Sequence, residues 1–352
     1  MNRILVLCGG RSAEHEVSLD SASSVISRLD RSRYKVQALG IGKNGESLTP
    51  ERLRSLLDLK NAADVEFPAC RNWIAWMAAS RKELDAVFPV LHGPFGEDGT
   101  VQGLLELMQV PYVGAGVCAS ALGMNKIHCK QILRQQGLPV VDWVDFHRSE
   151  WEEDKDRQAS RVLGSLPLPL FVKPANLGSS VGISKIVETA HLEGAVAKAL
   201  QFDDWVIVEK GIDAREIEVS VVGNLQPRAS LPGEIVPSGD FYSYEAKYVS
   251  DQSRLLAPAP LSPEQSRQVR TLALAAYRVL QLEGMARIDF LMDRVSEELF
   301  VSEPNTIPGF TRISMYPKLW VASGLSYSDL LTELIELALE RFQRRRGLSV
   351  ER

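Results

Sequence analysis

A short apolar run at residues 4–7 (Ile-Leu-Val-Leu) stops at Gly9-Gly10, and a second at 84–91 runs into the loop His92-Gly93-Pro94-Phe95-Gly96-Glu97-Asp98-Gly99. Such runs, bounded by glycine turns, read as buried strands that open into loops. Between them, residues 18–29 place apolar side chains at helical spacing, and 34–41 reads as a further strand ending at the turn Gly42-Lys43-Asn44-Gly45. Strands that alternate with helices, with polar loops following the strands, predict an α/β fold beginning with an open parallel sheet. No such pattern is readable over 46–83.

At 352 residues the chain exceeds one ordinary core, and it divides into blocks of about 1–121, 122–204 and 205–352. The second block opens with a helix over 126–136, closed by Gly137-Leu138-Pro139, and continues into a strand at 170–174. A glycine- and serine-rich turn follows, Gly178-Ser179-Ser180-Val181-Gly182. The third begins near 205–209 and carries strands around 217–222, 286–292 and 298–303, and a terminal helix over 327–344. Its helix near 264–282 has one apolar stripe, Val269, Leu272, Ala276, Val279 and Leu280.

A formal charge of −5 excludes nucleic acid or an anionic membrane as the main partner, though a local cationic pocket is compatible with it. No apolar run reaches the roughly 18–20 residues of a membrane-spanning helix. The four cysteines (Cys8, Cys70, Cys118, Cys129) show no metal-ligand spacing, and without a secretion signal they are expected to be reduced thiols of a cytoplasmic protein.

The strongest chemistry lies in the third block. In a strand, Arg287 and Asp289 share a face, and so do Glu303 and Asn305 a few residues on. If these two strands pair as a hairpin, two carboxylates and an amide converge beside a guanidinium, an all-oxygen donor set of the kind Mg²⁺ takes; the alternative is an ordinary salt bridge on a solvated face. The glycine–serine turn at 178–182 offers backbone N–H groups and hydroxyls to anionic oxygens. It is no Walker A loop, because no Gly-Lys-Ser/Thr follows, and alone it reads equally as a flexible loop. Lys173 and Lys126 are either cations for nucleotide phosphates or solvated surface charges. Glu14, in Gly9-Gly10-Arg11-Ser12-Ala13-Glu14-His15-Glu16-Val17-Ser18, is either a partner for a substrate ammonium or a charge favoured at a helix N-terminus. His92 is either a turn-capping histidine or a donor to a substrate carboxylate.

Five motifs in order give the sequence a wider likeness. Residues 9–18, 92–100 (His-Gly-Pro-Phe-Gly-Glu-Asp-Gly-Thr), 178–182, 244–248 (Tyr-Glu-Ala-Lys-Tyr) and 303–311 (Glu-Pro-Asn-Thr-Ile-Pro-Gly-Phe-Thr) together resemble the D-alanine–D-alanine ligases of the ATP-grasp superfamily. The likeness spans residue 3 to the terminal helix. It implies a two-lobed ATP-grasp fold after the first sheet, and ATP-dependent joining of two D-alanines through a D-alanyl phosphate for peptidoglycan synthesis. ATP would lie between the second and third blocks. Lys173, Glu209, Lys210 and Ile212 would line the adenine pocket, and Glu216 would hold the ribose. Lys126, Lys173, Ser180 and Lys247 would surround the phosphates, and Asp289, Glu303 and Asn305 would hold two Mg²⁺ ions, for which Mn²⁺ substitutes. Glu14 would bind the ammonium of the first D-alanine, His92 would approach its carboxylate, and Ser314 would hold the carboxylate of the second. Arg287 and the Gly309 N–H would form the oxyanion hole. A lid over 239–257 would close so that Tyr248 meets Glu14 and Ser179. Tyr248 favours an amine acceptor over a hydroxy acid, while Pro304 and Arg312 depart from the usual pattern. Relatives are commonly homodimers, so a homodimer is expected. Other carboxylate–amine ligases and a regulator that binds nucleotide without turnover are the remaining alternatives.

Overall fold

The computed structural model describes residues 1–59, 64–236 and 254–349. Strands β1 (Asn2–Gly9), β2 (Tyr34–Ile41), β3 (Val65–Glu66) and β4 (Ala86–Val90) form a parallel sheet in the order β3-β2-β1-β4. The sheet matches the expectation, and the first helix runs His15–Arg28. One buried serine ties the mouth of this sheet together. Ser18 Oγ accepts from the Gly9 N–H at 2.8 Å and donates to the Val90 carbonyl, so the ends of β1 and β4, where the loops of interest leave, share a single anchor. Gly9 itself lies at φ +87°, and a Cβ there would sit 2.2 Å from the Ile41 carbonyl oxygen, so no larger residue fits. The stretch 46–83 holds the helices Pro50–Leu57 and Trp73–Ser80 around the two-residue β3. Those helices are two turns long, too short to print a clear period.

The central lobe is an antiparallel sheet of β5 (Trp143–His147), β6 (Leu170–Pro174), β7 (Ser184–Ile186) and β8 (Trp205–Lys210), in the order β5-β8-β6-β7. Its own core gathers Phe146, Trp151, Leu170, Val172, Val196 and Val208. The boundary expected at 204/205 therefore moves. β8 pairs with β5 and β6, and belongs with the second block rather than the third. The preceding helix, Lys126–Gln135, moves the other way, because Cys129 and Leu133 pack into the core of the third block. A uniformly apolar strand carries no sequence mark of which sheet it will join.

The third block is a six-stranded antiparallel sheet: β9 (Ala214–Gly223), β10 (Arg228–Ala229), β11 (Gly233–Val236), β12 (Arg254–Leu256), β13 (Gly284–Asp293) and β14 (Leu299–Asn305). Its order is β12-β11-β9-β13-β14, with β10 also on β9. The helix Pro263–Val279 starts with a Ser262/Gln265 capping box and proline in its first turn. It buries Val269, Ala273, Ala276 and Tyr277 against the sheet, while Leu272 and Val279 of the expected stripe are only partly buried.

From Arg287 onward β13 alternates: Ile288, Phe290 and Met292 are buried, whereas Arg287, Asp289 and Leu291 face the other way. The terminal helix Tyr327–Arg346 and the helix Met315–Ala322 pack against the first sheet in one continuous core that includes Ile4, Phe88, Phe310, Tyr316, Leu330 and Leu334. From that helix, buried Arg341 reaches the Tyr112 carbonyl at 2.8 Å and the Gly114 carbonyl, with its guanidinium 4.3 Å from the Tyr112 ring centroid. Among the described residues no helix is long and apolar enough to cross a membrane.

Candidate active site

β13 and β14 do pair as an antiparallel hairpin, with Arg287 opposite Asn305 and Asp289 opposite Glu303. The register slips between Asp289 and Phe290, a local irregularity of the kind often found beside functional sites. Four polar side chains consequently share one face. Arg287 donates from Nε and Nη2 to the two Asp289 oxygens, each at 2.7 Å. Asn305 Nδ2 donates to Asp289 Oδ2 at 2.8 Å. Lys126 Nζ lies 3.0 Å from Glu303 Oε2, and Arg287 Nε lies 3.2 Å from Glu218 Oε2 on β9. Two carboxylates and an amide oxygen side by side are a donor set of the right chemistry for Mg²⁺, and the cations beside them balance their charge.

This face looks onto a cleft of about 460 Å³ between the central lobe and the third sheet. Lys126, Lys173 and Ser180 line it, with Glu209, Lys210, Ile212 and Glu216 further along and Asp289 and Glu303 at one end. Seven of the eight residues expected to bind ATP are thus brought together. The eighth, Lys247, lies outside the described residues, as does Tyr248 and most of the expected lid. Glu209 is buried between two ammonium groups: Lys173 Nζ donates to Oε2 at 2.6 Å, and Lys130 Nζ lies 3.2 Å from Oε1. Burial pushes its carboxyl up, but Lys130 and Lys173 outweigh burial and bring it down to about 2. Lys173 is itself raised: burial opposes its charge, and the Glu209 carboxylate more than restores it. Ser179 and Ser180 are consecutive residues in the left-handed region, at φ +52° and +58°. Each costs on the order of 1 kcal/mol for a non-glycine residue, strain that characteristically sits at ligand clamps.

A second cavity, about 110 Å³, adjoins the cleft and shares Gly178, Glu218 and Glu303 with it. Glu14, His92, Ser179, Arg287, Gly309 and Ser314 all line it, so among the described residues those selected from the sequence for the amino-acid end lie in one place. The Ser179 hydroxyl donates to Glu14 Oε1, joining the central lobe to the first block. Ser314 Oγ accepts from the Thr311 N–H at 3.0 Å and pairs with Thr311 Oγ1 at 2.8 Å, at the start of the helix Met315–Ala322.

His92 Nδ1 faces the Ile307 carbonyl at 3.0 Å and its Nε2 faces Ser21 Oγ at 3.0 Å. A carbonyl only accepts, so Nδ1 carries the proton. Burial drives the imidazole down, which keeps it neutral. Nε2 then accepts from the Ser21 hydroxyl, which in turn accepts from the Phe310 N–H at 3.1 Å. Both ring nitrogens are thus engaged, and the ring braces the 307–310 turn against the first helix while it lines the cavity. Sequence reasoning missed Ser21, Lys130 and Glu97. Glu97 lines the smaller cavity and accepts from the Gly93 N–H at 3.2 Å, and its carboxyl is raised well above the usual range by burial and by Glu14 nearby. Glu97 stands inside the 92–100 motif, and that was a signal for it; Ser21 and Lys130 carry none.

A lysine-bearing cleft between two antiparallel lobes, with a carboxylate-bearing hairpin at its inner end and a parallel-sheet domain completing a second cavity, defines an ATP-grasp ligase. The family described as D-ala D-ala ligase N-terminus matches residues 3–115, and that described as D-ala D-ala ligase C-terminus matches residues 132–336. The chain is 47% identical over 349 residues to the D-alanine–D-alanine ligase of Natranaerobius thermophilus, covering 97% of this chain and 96% of that one. It is 46% identical to the ligase of Heliobacterium modesticaldum, over 99% and 98% of the two chains. Among solved structures, the D-alanine–D-alanine ligase from Coxiella burnetii superposes with a TM-score of 0.82 at 37% identity, covering 98% and 97%. The VanG D-Ala:D-Ser ligase from Enterococcus faecalis gives 0.83 at 34%, covering 96% and 99%. The chain belongs to the D-alanine–D-alanine ligase family.

Proposed function

We propose that this chain joins two D-alanines to D-alanyl-D-alanine with conversion of ATP to ADP and phosphate, supplying peptidoglycan synthesis in the cytoplasm. The observation that carries this reading is the adjoining pair of cavities, nucleotide-sized and amino-acid-sized, with the Arg287/Asp289/Glu303/Asn305 hairpin at their junction.

Adenine lies against Glu209, Lys210 and Ile212, the ribose hydroxyls donate to Glu216, and Lys126, Lys173 and the Ser180 turn face the phosphates. Asp289, Glu303 and Asn305 would hold Mg²⁺ or Mn²⁺, two ions per site, which when bound neutralise the charge of the phosphate oxygens. In the first step a carboxylate oxygen of one D-alanine takes the γ-phosphoryl group, and ADP leaves. Glu14, fixed by Ser179, holds that D-alanine's ammonium, and positioning and charge neutralisation supply most of the rate. In the second step the amine of the other D-alanine attacks the acyl phosphate, loses a proton, and phosphate departs as the amide forms. Arg287 and the Gly309 N–H stabilise the oxyanion, and each such donor is typically worth about 10²–10³-fold. Ser314, at a helix N-terminus, receives the second carboxylate. The domains we assign are 1–121, a central lobe from β5 through Lys210, and a third block of the remaining chain together with the helix Lys126–Gln135, and two copies assemble as a homodimer.

The test is phosphate release from ATP and Mg²⁺ with and without D-alanine, with mass analysis of the product. D-alanine-dependent release with dipeptide formed in step is the expected result. ATP turnover indifferent to D-alanine, or a product only with D-serine or D-lactate, overturns the substrate assignment.

A further inference from the structure

Lys130 is a fully buried lysine that none of the chemistry above uses. It sits one turn after Lys126 on the helix Lys126–Gln135, with 1% of its surface exposed. It does not line the nucleotide cleft; it lies behind Glu209, which does. Its Nζ is 3.2 Å from Glu209 Oε1, and no hydrogen-bond acceptor besides that carboxylate reaches it among the described residues. A lysine kept in such a place loses its hydration, which is costly unless the charge is needed there.

The second cation changes the charge balance around Glu209. The ion-paired cluster where the helix meets β6, β8 and β14 links three lysines, Lys126, Lys130 and Lys173, to two glutamates, Glu209 and Glu303. With Lys130 present the group has one positive charge in excess. Without it, Lys173 and Glu209 form a closed neutral pair, and Lys126 and Glu303 another. The cluster then carries no net charge, although Lys126 and Lys173 still line the cleft.

Resting on the ATP-dependent ligase reading, we propose that Lys130 is a positioning residue for the nucleotide, acting through Glu209. It holds Oε1 while Lys173 holds Oε2, so Glu209 stays an ionised, fixed acceptor for the 6-amino group of adenine and Lys173 keeps charge for the phosphates. A carboxylate has about four acceptor sites, so two lysines and one amino group are accommodated together. The low titration of Glu209 agrees with two cations serving one carboxylate. A 6-oxo purine would place an oxygen against that carboxylate and be rejected.

The experiment compares wild type, K130M, K130R, E209Q and K130M/E209Q by direct binding of ATP and of inosine triphosphate, followed by kinetics with D-alanine. K130M should weaken ATP binding about 10–100-fold, the range of one hydrogen bond to a charged group. Its preference for ATP over the inosine nucleotide should fall, while kcat at saturating ATP stays near wild type. Its KM for ATP should also gain a rise toward acid pH that wild type lacks, because Glu209 loses one of the charges that keep it ionised. K130R should restore most of the affinity, and K130M/E209Q should bind ATP no worse than E209Q alone. If K130M does not fold, the comparison of K130M/E209Q with E209Q, in which both buried charges have gone, decides. An unchanged ATP-to-inosine-triphosphate ratio in K130M, or an additive loss in the double variant, overturns the proposal. Wild type that binds neither nucleotide overturns the ligase reading instead.

Discussion

Replacing Gly309 by alanine tests the second cavity at its tightest point. A Cβ on Gly309 would lie 2.6 Å from Ser314 Oγ, whereas ordinary contact begins at 3.4 Å, so the serine oxygen must retreat by about 0.8 Å. That oxygen is held by the Thr311 N–H at 3.0 Å and by Thr311 Oγ1 at 2.8 Å. A retreat of that size away from Thr311 stretches both beyond about 3.5 Å, where neither remains a useful bond. Gly309 is not in the left-handed region, so the alanine meets no backbone strain. Overpacking costs roughly 1–3 kcal/mol, offset by about 0.4–1 kcal/mol from a stiffer unfolded chain. The fold should therefore survive with a small fall in the unfolding midpoint.

Activity should suffer more, because a displacement approaching 1 Å in a substrate-positioning group costs on the order of 10²-fold. The assay is initial-rate phosphate release against D-alanine concentration, with urea unfolding alongside. We expect kcat/KM for the acceptor D-alanine to fall about 10²-fold with ATP binding unchanged. Because the clash is with Oγ, G309A/S314A should be no slower than S314A. A G309A enzyme within about threefold of wild type would refute the reasoning, as would losses that multiply in the double variant.

Other perturbations have clear signs. Glu303→Gln, at the centre of the hairpin face, should abolish D-alanine-dependent phosphate release while leaving the circular dichroism spectrum intact; near-normal turnover would remove Glu303 from the metal site. Ser21→Ala strips a partner from both the His92 ring and the Phe310 N–H, and should cost about 2–6 kcal/mol in urea unfolding, since each buried orphan costs about 1–3 kcal/mol. A loss under about 0.5 kcal/mol, the usual scale of an ordinary surface substitution, would show that the network carries no load. Glu209 is depressed from its ordinary 4.5 to about 2, so its stabilisation is complete above the unfolded value and is lost as pH falls through the folded one. Glu209→Gln should therefore flatten the stability profile between those two values, by a few kcal/mol at most; an acid limb unchanged from wild type would contradict the Lys130–Glu209–Lys173 arrangement.

The parts of this molecule that could be read from its sequence share a physical trait: their meaning is local. The hairpin face follows from the two-residue period of strands, and Arg287, Asp289, Glu303 and Asn305 needed only one assumption, that the strands pair. The first sheet follows from apolar runs that end in glycine. What stayed hidden depends on partners far along the chain. Ser21 is an unremarked helical serine until Phe310, 289 residues away, donates to it. Lys130 is one helical lysine among several until β8 brings Glu209 alongside. The strand Trp205–Lys210 reads as buried but gives no sign of which sheet buries it. The bracing partners of His92 were equally hidden, because its tautomer and donor direction are set by Ile307 and Ser21, both remote from its own motif.

The Arg341 anchor gives the molecule a mechanical asymmetry. By fastening the terminal helix to the Tyr112 and Gly114 carbonyls, it ties the first sheet and the third block, which share a core, into one frame. The central lobe keeps a separate core and meets that frame through a slim joint around Ile127, Ala175 and Ile207. The turn that carries Ser179 starts at that joint: the Lys126 N–H donates to the Ala175 carbonyl at 3.0 Å, and Lys126 Nζ to the Leu177 carbonyl at 2.6 Å. The Ser179–Glu14 bond therefore couples the first block to the place where the lobe is fastened, so the carboxylate that orients the first amino acid is steadied by the same seam that holds the lobe.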